Sequence, residues 1–367
     1  MEKGKISAFQ MGIMMYHAII ATAILSVPGI TARYAKTDLW ISPIWASTIG
    51  FLTLWIVMSL FKLFPKKTYS QICEQALGKI PGKLLGFLYF YFFVYVTGQI
   101  TRSYAEFLIG VFFPKTPISV IIISMLFLSA ITIKGGLEVV ARCAQIIFPI
   151  FFFSIFIIMI LLSPQIHLLN VLPIMENGIL PSLKGAIVPQ VWFGEIFIII
   201  FLLPYLSDVK KHKKWGIITV LFVLFTFIMI NLTVLFILGP NTGGVYPFLE
   251  TARFVNIANF IDNLDALIMA IWILGLFVKI TVFYYVTVVS AAQWLNISDY
   301  KPIIWPIGIL IIEMGFWSLP NLMVLSQLDT AVNPFWGMIM FTLIPLLIVG
   351  IASIRSNRKS KSNSLLS

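Results

Sequence analysis

The amino-acid sequence predicts an all-α integral membrane protein: ten transmembrane helices arranged as two inverted repeats of five, with helices 1 and 6 discontinuous. Three observations lead there. Of 367 residues, 60% are hydrophobic and only 11% charged, and Phe alone occurs 32 times; a soluble domain needs about 25% charged residues to cover its surface. So much apolar surface also cannot stay in water as a disordered chain. Next, the apolar residues form long continuous runs rather than the alternating pattern of barrel strands. Last, two of those runs, the first and the sixth, are interrupted by Pro, Gly and polar residues.

The runs are 9–32, 40–63, 84–108, 117–134, 143–162, 188–206, 215–238, 264–292, 302–320 and 333–354, near the ~20 residues a bilayer core requires. The first is too long and irregular for a cleavable signal peptide, so it is expected to remain as a helix. It contains Ala21-Thr22-Ala23-Ile24-Leu25-Ser26-Val27-Pro28-Gly29. Pro28 lacks an N–H and its ring clashes with the Ile24 carbonyl, which kinks or opens a helix; the small residues at 21–23 let a ligand or another backbone approach. The sixth run contains Val188-Pro189-Gln190-Val191-Trp192-Phe193-Gly194-Glu195. Dividing the chain into halves of about 9–162 and 188–354 puts these two runs in corresponding positions, and an odd number of spans per half inverts the second half. Paired interruptions of this kind point to a transporter-type site near the midplane; two ordinary proline kinks are the alternative.

The breaks at 163–187 and 239–263 mix Pro, Gly and Asn with apolar residues, which suggests re-entrant or surface-lying segments. Residues 1–354 read as one membrane domain and 355–367 as a frayed, basic cytosolic tail.

The net charge of +11 does not describe a nucleic-acid-binding face, because Lys and Arg sit in short loops between apolar runs. Eighteen lie on the side of the two termini and five on the other. The richest loops hold Lys62, Lys66, Lys67, Lys79 and Lys83, and Lys210, Lys211, Lys213 and Lys214. This asymmetry places both termini in the cytoplasm. Cys73 and Cys143 then face a reducing compartment, where a disulfide is not expected.

Two cations remain inside apolar runs. Lys279, at the centre of the eighth run, costs roughly 2.5–3.5 kcal/mol to insert and is too deep to snorkel. It is expected to face the interior and meet a carboxylate; Glu195 fits by depth, with Glu106 and Glu313 as alternatives. Such a pair is either structural, or a fixed positive charge where a sodium-coupled relative would hold an ion. In the third run Tyr91, Tyr95, Gln99, Arg102 and Glu106 fall within an arc of about 80° on one helix face. A polar stripe of this kind lines a packed interface or a wet cavity. Arg102 and Glu106, near its outer end, read as an outer gate or as interfacial anchors.

The sequence has no G-x-x-x-x-G-K-[ST] phosphate loop. Its three His (His17, His167, His212) and two Cys show no metal spacing and assemble no catalytic triad. No enzyme activity, cofactor or metal is expected. Gly82-x-x-x-Gly86 matches a weak helix-packing motif.

Several stretches taken together resemble the B subunit of bacterial spore germinant receptors, the spore-germination branch of the amino acid–polyamine–organocation transporter superfamily. They are Ile24-Leu25-Ser26-Val27-Pro28-Gly29, Phe64-Pro65-Lys66-Lys67-Thr68 leading into Ala76-Leu77-Gly78-Lys79, and Leu172-Pro173-Ile174-Met175-Glu176-Asn177-Gly178-Ile179. Further on come Phe193-Gly194-Glu195, Leu203-Pro204-Tyr205, and the stretch from Tyr246-Pro247 through Ala252-Arg253 and Phe260-Ile261-Asp262-Asn263-Leu264-Asp265 to Trp272. The resemblance implies a transporter-like fold with helices 1 and 6 unwound at the ligand site. It also implies a place in the inner membrane of a dormant spore, partner A and C subunits, and a small nutrient as ligand.

An amino-acid ligand suits the predicted site. Backbone N–H groups at a broken helix would take its carboxylate, and opened carbonyls with Glu195 its ammonium. The expected pocket comprises Thr22, Ala23, Ser26, Val27, Tyr95, Gln99, Trp192, Phe193, Gly194, Glu195, Thr281, Tyr284 and Thr287, with Lys279 as fixed charge and Arg102 and Glu106 as gate. Trp272 and Phe283 read as packing. A ligand sensor and a sodium-independent (proton-coupled or exchanging) amino-acid transporter both use such a site.

Overall fold

With no water in a bilayer core, backbone N–H and C=O groups must bond within their own segment, and the long apolar runs accordingly fold as helices. The computed structural model describes residues 4–242, 246–257, 261–262, 265–318, 324, 328 and 331–364. In chain order the helices are α1 (Ala8–Ala35), α2 (Ser42–Leu63), α3 (Tyr69–Leu77), α4 (Lys79–Val111), α5 (Ile118–Lys134), α6 (Leu137–Leu161), α7 (Leu180–Ala186), α8 (Pro189–Gly194), α9 (Ile199–Leu202), α10 (His212–Leu238), α11 (Pro247–Ala252), α12 (Asp265–Leu295) and α13 (Ile304–Ser318). The last span joins Asn333–Met338, a π-helical turn at Ile339–Leu343 and Ile344–Ser364. A two-residue antiparallel ladder pairs Asn256 with Asp262.

Among the described residues, seven helices are long and apolar enough to cross a membrane, and Leu180–Ala186 with Pro189–Tyr205, bent by 50°, makes an eighth if counted as one span. The chain is a multi-pass, essentially all-helical membrane protein. Among the described residues two further apolar helices are shorter: α5 with 17 residues and α13 with 15 as far as Ser318. At 1.5 Å per residue they reach about 26 and about 23 Å, below the ~30 Å of a hydrocarbon core.

Burial separates centre from periphery. In α1, 89% of the apolar window is buried, against 28% in α6. The first helix is thus the axis of the molecule, packed on α10, α12, α7 and α6, while α6 turns Ile146, Phe153, Ile157 and Ile160 outward.

Helix 1 corrects an expectation: α1 runs unbroken from Ala8 to Ala35 with Pro28 inside it. The proline removes one donor, to the Ile24 carbonyl, yet the turn is held by the Thr31 hydroxyl, which donates to the carbonyls of Val27 (2.8 Å) and Pro28 (3.1 Å). The sixth run is segmented. Pro181 and Pro189 each stand in the first turn of a new helix, where a missing N–H costs nothing. The chain then passes through 3₁₀ turns at Glu195–Ile198 and Leu203–Tyr205.

At the other end of α1, Ser7 and Gln10 form a capping box. Ile6, fully buried, bridges in parallel to Leu206, and the Ala8 N–H donates to Asp208 Oδ1 at 2.6 Å. The start of α1 is thereby fastened to the end of the segmented span. The amphipathic α3, opened by a Thr68–Gln71 capping box, lies on α4 where Gly82 has no side chain; a Cβ there would overlap the Glu74 backbone. Of the tail expected at 355–367, residues 355–364 continue the last helix, and 365–367 lie outside the described residues.

Candidate functional site

A cavity of about 770 Å³ opens beside α1, on the face where that helix ends. Helical periodicity explains its walls. On α1, Thr22, Ser26, Gly29 and Arg33 line it, spaced 4, 3 and 4 and so within one stripe. On α4, Tyr95, Gln99, Ser103, Glu106 and Gly110 form a parallel stripe, with Phe92 and Phe107 beside it. The segmented span gives Val188, Val191, Trp192 and Glu195; α12 gives Leu276 and Lys279. The last span adds Asn333, Trp336, Gly337 and Phe341, and Tyr246 closes one edge.

The floor is an ion pair. Lys279 Nζ donates to both oxygens of Glu195, at 3.0 and 2.9 Å. Lys279 is fully buried and Glu195 is 5% exposed, and the ammonium also lies 5.2 Å from the centre of the Phe283 ring. Taking two charges out of water is repaid only when both stay paired. The 3₁₀ turn that begins at Glu195 departs from α-helical geometry at the residue that makes the pair, and short mid-span 3₁₀ stretches often mark functional positions.

Polar contacts cross the cavity above this floor. Gln99 Nε2 donates to the Tyr95 hydroxyl at 2.7 Å, and Asn333 Nδ2 donates to Gln99 Oε1 at 3.2 Å, joining α4 to the last span. The Thr22 hydroxyl is buried without a hydrogen-bond partner among the described residues. Behind the wall, Trp272 Nε1 donates to the Ala21 carbonyl at 2.6 Å, so Trp272 does more than pack. Its ring and that of Tyr246 both contact Phe107, each at 5.0 Å between centroids.

Thr22, Ser26, Tyr95, Gln99, Trp192, Glu195, Lys279 and Glu106 thus come together around one cavity. The other expected pocket residues do not line it. Ala23 and Val27 lie to the side of the cavity stripe of α1 and are fully buried. Phe193 packs its ring against Phe227 at 5.4 Å, and Gly194 backs onto Phe341. On α12, Thr281 donates to Ser129, Tyr284 donates to the Ile304 carbonyl, and Thr287 shares a hydrogen bond with Thr97. These residues bond to neighbouring helices because the cavity face of α12 is the one carrying Leu276 and Lys279. Arg102 sits behind the wall, pairing with Glu106 at 2.7 Å and lying over the Phe316 ring at 5.6 Å. Tyr91, 48% exposed, turns away from the stripe. The site also includes Arg33, Ser103, Tyr246, Asn333 and Trp336, which the sequence reading passed over. Extending the Thr22–Ser26 periodicity by two turns would have reached Arg33.

A family model described as spore germination protein matches residues 5–321. Spore germination protein KB of Bacillus subtilis (strain 168) is 26% identical, covering 99% of this chain and 98% of its own. Spore germination protein XB of Bacillus anthracis is 25% identical over 72% of this chain and 73% of its own. Spore germination protein GerQB of Bacillus cereus is 21% identical over 96% and 98%. Among solved structures, Mhp1, a nucleobase-cation-symport-1 family transporter in a closed conformation with bromovinylhydantoin bound, shares the fold with a TM-score of 0.66. That match has 13% identity and covers 92% of this chain and 78% of Mhp1.

Proposed function

Since the chain belongs to the spore germination protein family, we propose that it is the nutrient-binding membrane subunit of a germinant receptor. In this reading it senses a small nutrient, an amino acid, and triggers germination through partner A and C subunits in the spore inner membrane. The observation that carries the reading is the cavity between α1, α4 and the segmented span, with a buried ion pair as its floor. Pockets of this size, mostly apolar with a few convergent polar groups, suit small ligands. Thr22, Ser26, Tyr95, Gln99, Trp192 and Glu195 are the proposed contacts, Lys279 the fixed charge, and Arg102 with Glu106 the outer gate. Binding then shifts a two-state equilibrium that the partner subunits read.

Counting α5 and α13 as spans gives ten helices in two inverted sets of five, about 9–162 and 188–354, with both termini cytoplasmic; the Lys and Arg distribution supports that orientation. The cavity then faces the outer side, where a nutrient arrives.

The fold shared with a symport-family transporter favours a second reading, a sodium-independent amino-acid transporter that is proton-coupled or exchanging. In that second reading Glu195 and Lys279 at the floor are the titrating elements. A germination screen across amino acids and nucleosides, in a deletion strain complemented with this chain and its partners, tests the sensor. Uptake by the purified chain in proteoliposomes tests the transporter: accumulation of the nutrient would defeat the sensor-only reading, and binding without flux would support it.

A further inference from the structure

The unbroken α1 removes the backbone N–H groups that were expected to hold a ligand carboxylate, and Lys279 cannot replace them. Its ammonium is fully buried and both of its hydrogen bonds go to Glu195. The charges available to a ligand lie instead at the mouth. Arg33, on the cavity stripe of α1, is exposed and has no ion pair or hydrogen bond among the described residues. On α4, Glu106 receives Arg102 Nε at 2.9 Å and Nη2 at 2.7 Å, both on Oε1, so its Oε2 is unengaged among the described residues. Between mouth and floor the walls are largely aromatic, including Tyr95, Trp192, Trp336 and Phe341. Thr22 and Arg33, eleven residues apart on α1, are separated by about 16 Å along the helix.

We infer that the cavity binds a zwitterionic amino acid head-outward, with its carboxylate on Arg33, its ammonium on Glu106 Oε2 and an apolar side chain pointing down the aromatic shaft toward the Glu195–Lys279 floor. This rests on the amino-acid reading above and reverses the orientation that a broken helix 1 would impose. Arg is the cation whose planar fork suits a carboxylate, and an aromatic wall rewards the side chain for filling it. Specificity then divides: the mouth tests for both charges of the head group, and the shaft tests for side-chain shape.

The test uses the purified full-length protein in lipid nanodiscs, titrated calorimetrically with the twenty amino acids as probes. The tightest binder is then compared with its carboxamide, which lacks the negative charge, and its N-acetyl form, which lacks the positive one. The wild type is expected to prefer the acid over the amide, and the free amine over the N-acetyl form, each by roughly tenfold or more, equivalent to about 1.4 kcal/mol. Arg33→Gln abolishes the first preference and keeps the second; Glu106→Gln does the reverse; Arg33→Lys restores part of the first. Arg33 is exposed and has no ion pair among the described residues, so its variants are expected to fold. An Arg33→Gln protein that still prefers the acid tenfold overturns the head-outward pose while leaving the amino-acid reading intact. A wild type that binds none of the twenty overturns both.

Discussion

The first helix and the segmented span at 180–205 carry the same kinds of interruption, Pro with Gly and a nearby polar side chain, yet one stays whole and the other comes apart. The difference lies in where each proline falls and what surrounds it. Pro28 sits deep inside α1, a helix buried on nearly all sides and braced by hydrogen bonds from Thr31 and Trp272 to its carbonyls. Pro181, Pro189 and Pro204 stand at the first turns of short helices, so each begins a segment instead of straining one. A proline inside a sequence run therefore does not decide between kink and break; its neighbours do.

The largest expected effect breaks the segmented span at its anchor. Lys279→Met strands the Glu195 carboxylate in the interior and is expected to cost about 3–5 kcal/mol, read as loss of folded protein in membranes and a lowered unfolding temperature. Adding Glu195→Gln should recover most of that loss, because removing both charges also removes the desolvation cost. A double variant no more stable than the single one would mean that the pair does more than neutralise itself.

The prolines give a sharper contrast, with opposite signs. Pro28→Ala returns a donor to the Ile24 carbonyl and is expected to raise stability, by up to about 3 kcal/mol. Pro189→Ala, at a first-turn position, should lower it by about 0.4–1 kcal/mol through a freer unfolded chain. Thermal unfolding of the two proteins side by side measures both, and equal shifts of the same sign would erase the distinction drawn above.

An effect as small as that of Pro189→Ala probes how α1 is braced. Trp272→Phe keeps the ring against Phe107 but deletes the indole donor to the Ala21 carbonyl, for an expected loss of about 0.6–1 kcal/mol. An unchanged unfolding temperature would show that backbone and packing alone hold that turn.

Much of the site was legible because membranes make exceptions expensive. Lys279 in an apolar run had to find an acceptor at its own depth, and Glu195 was the carboxylate at that level. Of the stripe that helical spacing marks out on α4, Tyr95, Gln99 and Glu106 line the cavity, while Tyr91 turns away and Arg102 sits behind the wall. The facing of α12 was harder to see: Thr281, Tyr284 and Thr287 look like pocket residues by type, yet a hydroxyl in a span is equally satisfied by the next helix, and here Ser129, Ile304 and Thr97 supply the partners. Arg33 was overlooked because a cation at the end of a span reads first as an orientation signal, although the stripe that begins at Thr22 reaches it.

Ile6 and Leu206 are neighbours, and so are Ala8 and Asp208, although two hundred positions separate them along the chain. The segment from Ile6 to Ala8 is therefore a working part rather than a loose lead-in. An affinity tag or fluorescent fusion attached ahead of it pulls on the very strap that ties the central rod to its fragmented counterpart, so a protein silenced by such a label would report the label's placement.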